Sequence, residues 1–393
     1  MYSFVETNFS RGAVLGRLIK NKLLAIPTLG FYRFWGKTHL RRLLWQSIKI
    51  EGERLTYHGT AGELFIGFLV AMAVLAGISF VFQLVVGLFA MSSGAEPNPI
   101  VIAGSQVIYF IGFFALIAFA RYRLWRYRLS RTSLATIRFY QLGSAIKYAG
   151  LNLLWGGATL LSLGAAYPKM RQKLIDYQLN NVHYGEERFH FFGGAKALYR
   201  IYWPWMVSSF VTFIAVGITF SMSGGDLATP ANDHFILIMQ VISFVAVAVT
   251  SVFFMISRVV EFKYIAGHTN FAGAAFECAL STGEIIRLMI KRGFILAIFA
   301  AMPVVIIPTL MELVSGNDPM GAYAIFAVMG IALIYFLLFD ILIFMMLYIP
   351  VFERLATTLR VDKEGVFNAT AMSSENSPKY GEGFADALDV GAF

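Results

Sequence analysis

The chain has 393 residues, of which 58% are hydrophobic and only 14% charged, with a formal net charge of +9. Soluble domains average about 45–50% apolar and about 25% charged residues, so the apolar excess, arriving in long blocks, excludes an ordinary water-facing globule. The single cysteine, Cys278, excludes an intramolecular disulfide and a cysteine-rich zinc or iron–sulfur site.

In chain order, residues 1–36 contain an apolar stretch, 15–35, interrupted by Arg17, Lys20 and Lys22 and followed by no small-residue cleavage site. Its uninterrupted apolar run is only about a dozen residues, which suits an interfacial or re-entrant segment. Residues 37–147 hold a basic arm, a pair of apolar segments (64–91 and 100–120) and a second arm. Residues 148–293 begin with a glycine-rich ambiguous stretch, 148–167, and continue through a third arm, a second apolar pair (199–222 and 235–257) and a fourth arm. A third pair (294–314 and 323–348) fills most of 294–350, and 351–393 form a polar tail. A bilayer core about 30 Å thick needs roughly 20 apolar helical residues, so the six paired segments qualify as spans.

Charge orients them. The turns within pairs carry Glu96, Asp226, Asp233 and Asp318 and no lysine or arginine, whereas the arms are basic. The positive-inside rule therefore assigns the arms and both termini to the cytoplasm. The expected fold is an all-α polytopic membrane protein with six transmembrane helices in three hairpins plus two half-inserted segments. Eight spans is the alternative.

The arms repeat one another. Arg54-Leu55 precedes Gly59-Thr60 as Arg138-Phe139 precedes Gly143-Ser144 and Arg188-Phe189 precedes Gly193-Gly194. Gly273-Ala-Ala-Phe276 echoes Gly52-Glu-Arg-Leu55, and Leu29-Gly30 in the first ambiguous stretch matches Leu163-Gly164 in the second. Partial alternation of β-branched and aromatic residues over 47–57 and 132–140 predicts short strands or hairpins at the membrane surface. Asn21-Lys-Leu-Leu, Thr28-Leu-Gly-Phe-Tyr-Arg-Phe-Trp-Gly-Lys-Thr38, Arg41-Arg42 and Gly52-Glu-Arg-Leu-Thr-Tyr-His-Gly-Thr60 followed by Glu63-Leu together resemble the YjgN family of bacterial inner-membrane proteins. The resemblance implies a multi-pass inner-membrane location, and it carries over no activity and no site residues.

Two candidate sites emerge. Asp340 lies within the sixth apolar segment, where an ionisable group is expensive and marks an ion or substrate pathway by default. Pro303 and Pro308 interrupt the fifth, and broken helices beside an intramembrane carboxylate recur in transporters. A helix-packing carboxylate, protonated and hydrogen-bonded to a neighbour, and two ordinary kinks are the plainer readings. The second candidate is the run Arg121, Arg123, Arg126, Arg128, Arg131 and Arg138, placed where juxtamembrane cations meet anionic lipid. Its plainer reading is a topology determinant.

No nucleophile elbow, phosphate loop, dinucleotide fingerprint or zincin helix occurs, and the six histidines lack ligand spacing. The sequence therefore predicts no enzyme, no cofactor, no metal and no nucleic-acid partner. It leaves two functions open. One is a transporter of a small solute or ion using Asp340. The other is a non-transporting scaffold whose arms bind anionic lipid or a protein, with the final Asp-Ala-Leu-Asp-Val-Gly-Ala-Phe as a second docking element on a mobile tail.

Overall fold

The computed structural model describes residues 3–8, 10–92, 99–222, 234–314 and 320–370. Within them the chain repeats one unit, a helix pair followed by a short β-hairpin. The first unit is α1 (Arg11–Ala25), α2 (Arg33–Gln46), β2 (Ile48–Ile50) and β3 (Glu53–Tyr57), preceded by β1 (Ser3–Thr7). The second is α3 (Ala61–Ser92), α4 (Pro99–Ser130), β4 (Thr132–Leu134) and β5 (Ile137–Gln141). The third is α5 (Ala145–Leu161), α6 (Tyr167–Leu179), β6 (Val182–Tyr184) and β7 (Glu187–Phe191). The fourth is α7 (Ala195–Met222), α8 (His234–Gly267), β8 (Thr269–Phe271) and β9 (Ala274–Cys278). The fifth is α9 (Thr282–Val314), α10 (Met320–Ile343), a π-turn over Phe344–Tyr348, α11 (Ile349–Thr358) and β10 (Leu359–Val361).

The strands close into one antiparallel barrel in the order β1-β10-β9-β8-β7-β6-β5-β4-β3-β2. Four units contribute a complete hairpin. The fifth position is filled from both ends of the chain, because β10 pairs with β1 through Ser3↔Val361 and Phe4↔Arg360. Each hairpin places a three-residue strand against a five-residue one across two turn residues, and the first of these has positive φ in all four: Glu51, Ala135, Gly185 and Ala272. Gly52 and Gly273 also have positive φ, as a mirror-type hairpin turn requires. The echo between Gly52-Glu-Arg-Leu55 and Gly273-Ala-Ala-Phe276 is thus the same turn in two units. Short hairpins were expected in the arms; their closure into a single barrel departs from an all-α fold.

Period-two alternation sends one residue set into the barrel. Leu134, Tyr184, Phe271, Ala274 and Val361 are buried there with Leu55, Phe139, Phe189 and Phe276 packed against them. Phe367 completes this core from the chain beyond β10. Its ring lies 5.0 Å from Phe271 and 5.5 Å from Tyr184. The Glu51 carboxylate accepts the N–H groups of Gly365 (2.9 Å) and Phe367 (3.2 Å), fixing this segment against the β2–β3 turn. Residues 359–370 are therefore a strand and a barrel plug, not a mobile tail. The strand forms because β9 offers it partners from Phe276 to Cys278. The final octapeptide lies outside the described residues.

Helix lengths separate the units into two kinds. Among the described residues, five helices are long and apolar enough to cross a membrane: Ala61–Phe89, Ile102–Ser130, Ala195–Met222, Ile238–Gly267 and Val328–Thr358. The expected fifth span falls in α9, which runs helically past Pro303 and Pro308; the side chains of both prolines lie outside the described residues. By contrast α1 has 15 residues and α5 has 17, about 22–26 Å at 1.5 Å per residue. Both turn back. Leu29 and Gly30 at one tip, and Leu163 and Gly164 at the other, have positive φ, with matching backbone bonds from Gly30 N–H to Ala25 and from Gly164 N–H to Thr159. The tips are apolar and open, with Leu29 89% and Leu161 90% exposed. The two ambiguous stretches are thus helical hairpins that start and end at the barrel. Since all four arms build that barrel, they lie on one side of any bilayer the helices cross.

Candidate functional site

The site is built outward from the barrel rim, where helices leave and return. Each outgoing helix begins at the same step after its strand: Ser3 to Ser10, Glu53 to Thr60, Ile137 to Ser144, Glu187 to Gly194 and Ala274 to Ser281. The hydroxyls cap the free first-turn N–H groups. Ser10 accepts from Ala13, Thr60 from Glu63, Ser144 from Lys147 and Ser281 from Glu284. Returning helices carry a matching brace. Tyr127, Tyr177 and Tyr264 occupy the same position before Thr132, Val182 and Thr269. Tyr127 donates to Glu63 (2.9 Å), Tyr177 donates to the Ser144 carbonyl (3.0 Å), and Tyr264 donates to the Gly194 carbonyl (2.9 Å). Each tyrosine ties a returning helix to the start of its own outgoing partner. Sequence reading missed these braces, although their fixed distance from the strands is visible once the strands are known.

Two charge networks rigidify the same level. Arg131 holds Glu63 through Nε (3.1 Å) and Nη2 (2.8 Å). Arg171 of α6 binds Glu261 of α8 with Nε at 2.9 Å and Nη2 at 3.2 Å, in a setting where the two side chains are 10% and 2% exposed. Tyr202 donates to the same carboxylate at 3.0 Å, and Arg258 also pairs with it. A bidentate pair with further hydrogen bonds is the arrangement that offsets the desolvation of buried charge. Between spans, hydroxyls do the joining: Thr212 with Thr250 and Thr219 with Ser243, both at 2.8 Å, lock α7 to α8.

The outward face of the barrel is chemically different from its core. Register places side by side, on the outer wall, Glu6, Lys49 and Arg54; then Thr56, Ser133 and Arg138; then Tyr140, His183 and Arg188; then His190, Asn270 and Ala275. From β2 to β7 the cations Lys49, Arg54, Arg138 and Arg188 face outward, and Arg54, Arg138 and Arg188 are exposed. Lys49 and Arg54 are direct cross-strand partners, a like-charge pairing that costs stability. Aromatic and imidazole groups fill the gaps: Tyr140 stacks on His183 at 5.1 Å, His58 bonds Ser133 at 2.8 Å, and Arg188 Nε donates to His190 at 2.9 Å. Partial burial, then Arg138, Arg131 and Arg42, hold the His58 imidazole below its usual range. Inside the wall, burial followed by Glu51 and Glu53 pushes the Tyr184 hydroxyl up to about 12.

The arginine run expected as one patch is distributed over several settings. Arg121 is exposed on α4, Arg123 and Arg126 are half-buried, and Arg128 is buried at 7% exposure. Arg131 belongs to the Glu63 bridge, and only Arg138 joins the outer wall. Arg54 and Arg188, which match Arg138 in the neighbouring units, were visible in the repeats but were not singled out. Asp340 pairs with Lys22 of α1, the cation that interrupts the first half-inserted stretch; their side chains are 62% and 30% exposed. That contact ties α10 to the first short hairpin.

Residues 10–386 match DUF898, a family described as bacterial proteins of unknown function. The chain belongs to that family. No curated protein and no solved structure matches it. The five apolar helices make this family member an integral membrane protein of the multi-pass kind.

Proposed function

We propose that this protein is a non-transporting scaffold of the bacterial inner membrane, whose barrel hangs on the cytoplasmic side and presents a basic wall to an acidic protein segment. The observation that carries the reading is the outward set Lys49, Arg54, Arg138 and Arg188 on three adjoining hairpins, held by a core of packed aromatic rings. One pair in this set, Lys49 and Arg54, is a like-charge cross-strand contact that an acidic partner relieves. The cationic barrel supports cytoplasmic placement by the positive-inside rule, and the two short hairpins support six spans with two half-inserted pairs. Transport through Asp340 has weaker support, because its carboxylate is engaged by Lys22. Anionic lipid at the Arg121–Arg131 segment has weaker support than a partner at the wall, since Arg128 is buried and Arg131 is bridged.

The test uses the full chain in phosphatidylcholine nanodiscs and a fluorescent oligoglutamate peptide, read by anisotropy across a salt series. Wild type should bind with an affinity that falls steeply with salt, and R54Q/R138Q/R188Q should lose most of it. Equal binding by the two proteins would end the proposal. Placement is tested with Ala275→Cys, an outward barrel position, in a Cys278→Ala background. Labelling of intact cells by an impermeant maleimide would reverse the assigned side.

A further inference from the structure

A cleft of about 340 Å³ opens between α8, the start of α9 and α11, on the side of the barrel away from the basic wall. Its size falls at the lower end for small-ligand sites, roughly 300–1,000 Å³. Four cations from two helices line it, Arg287, Lys291 and Arg292 of α9 and Arg354 of α11, against the single carboxylate of Glu284. The floor is apolar, with Ile285 3% exposed and Val351 half-buried.

Three features distinguish this cleft from a solvated charged face. Arg292 is built into the wall: its Nη1 donates to the Met346 carbonyl at 2.8 Å, inside the π-turn. Such turns leave backbone carbonyls off the regular ladder and recur at functional sites. That bond fixes α9 against the π-turn and α11, so the exposed Arg287, Lys291 and Arg354 converge on one concavity. Arg287 and Lys291 lie four residues apart, hence on one helix face. Beside them runs an apolar stripe at the same spacing, with Ile286 36%, Ile290 56%, Phe294 68% and Ile298 54% exposed. The stripe leads from the cations along α9 into its apolar segment. A phosphate held at the cleft with hydrocarbon lying along the stripe satisfies both surfaces at once.

We infer that this cleft binds the phosphate of an anionic phospholipid headgroup, with Arg287, Lys291 and Arg354 on the phosphate and the Ile286–Ile298 stripe against the acyl chains. A diester on a glycerol fits better than a free ion, because the stripe brings acyl chains to the edge of the cations. Juxtamembrane cations contribute about 1 kcal/mol each near an anionic surface, so neutralising three should weaken binding on the order of 100-fold.

The experiment is native mass spectrometry of the detergent-extracted full chain, titrated with phosphatidylglycerol or phosphatidylcholine. Wild type should retain phosphatidylglycerol in clear preference to phosphatidylcholine. R287Q/K291Q/R354Q should lose that preference, whereas R54Q/R138Q/R188Q, with the same charge removed from the barrel wall, should keep it. Equal loss in both triple variants, or retention in the cleft variant, overturns the site. R287K/R354K keeps the charge and should still retain the lipid, which separates a binding defect from misfolding. Inorganic phosphate is the competing arm: failure to displace phosphatidylglycerol supports the lipid, and full displacement at millimolar concentration overturns the lipid assignment in favour of the soluble ion.

Discussion

The plug residue Phe367 gives the most direct test of how the barrel is held shut. Its side chain is 4% exposed and stands among Tyr184, Phe271 and Phe276, with the Phe271 ring nearly parallel at 9°. Replacing a buried phenylalanine by alanine costs about 3–5 kcal/mol, from lost transfer energy plus the cavity left behind. The loss should fall first on β10, which has three residues, is followed directly by the plug segment, and covers Cys278 through the Leu359↔Cys278 pairing. Cys278 is the only thiol in the sequence and is 8% exposed, so its alkylation reports local opening of β10. If the ring's burial is lost whenever β10 opens, Phe367→Ala should raise the alkylation rate by about 100-fold or more, since each 1.4 kcal/mol is tenfold. The assay is thiol labelling of the folded protein under native conditions, with circular dichroism confirming that helix content is unchanged. Glu51→Ala, which removes the acceptor for two plug N–H groups, should act in the same direction with a smaller effect. An unchanged labelling rate in folded Phe367→Ala would refute the idea that the plug secures the chain's closing strand.

Three further outcomes follow from the networks around the barrel. Glu261→Gln leaves the buried Arg171 guanidinium without its counter-charge and should cost about 3–5 kcal/mol, read as a lowered thermal midpoint. The Lys22–Asp340 pair should behave as a unit: Lys22→Gln or Asp340→Asn alone lowers the thermal midpoint, and the double variant lies nearer wild type than the two losses added together. Additive losses would mean that the pair is not coupled. Stability should also fall in mild acid. Burial, then Arg17, Arg42 and Lys20, hold the His39 imidazole low, and His58 is held low as well. Unfolding releases both to the ordinary value of about 6.5, so the unfolded chain binds more protons as the pH drops below that value. The midpoint should decline from about pH 7 to about pH 5, and His39→Gln/His58→Gln should flatten the decline.

How far the sequence revealed this architecture depends on the length scale of each signal. Five of the six expected spans were legible because each repeats one preference over some twenty residues. The hairpin turns were legible as echoes, since Gly52 and Gly273, or Gly30 and Gly164, answer the same local demand for positive φ. The arginine segment misled for a geometric reason. Helical steps of 100° put Arg121 and Arg128 on one face of α4 and Arg123 and Arg126 on another, and Arg128 is buried while Arg121 is exposed, so proximity in sequence does not make one surface. A strand does the reverse. Arg54, Arg138 and Arg188 are far apart in the chain and share one wall on alternate strands, because the barrel brings equivalent positions of successive units to the same face.

Barrel closure was the least legible feature, and the reason lies in the fifth unit. A three-residue strand such as Leu359–Val361 has too little alternation to stand out from the helix before it. Its partner Ser3–Thr7 lies at the other end of the chain, so no hairpin turn joins them. In the other units a turn of two residues fixes the register locally. Here the register has to come from packing, and the plug supplies it: Glu51, in the turn of the hairpin next to β1, anchors the backbone that follows β10, while Phe367 fills the core that β10 borders. The segment that reads as a polar tail thus does for the split unit what a turn does for the intact ones. It also makes the platform for the basic wall complete only when both ends of the chain are in place, because β1 is the strand on which β2, the first strand of that wall, pairs.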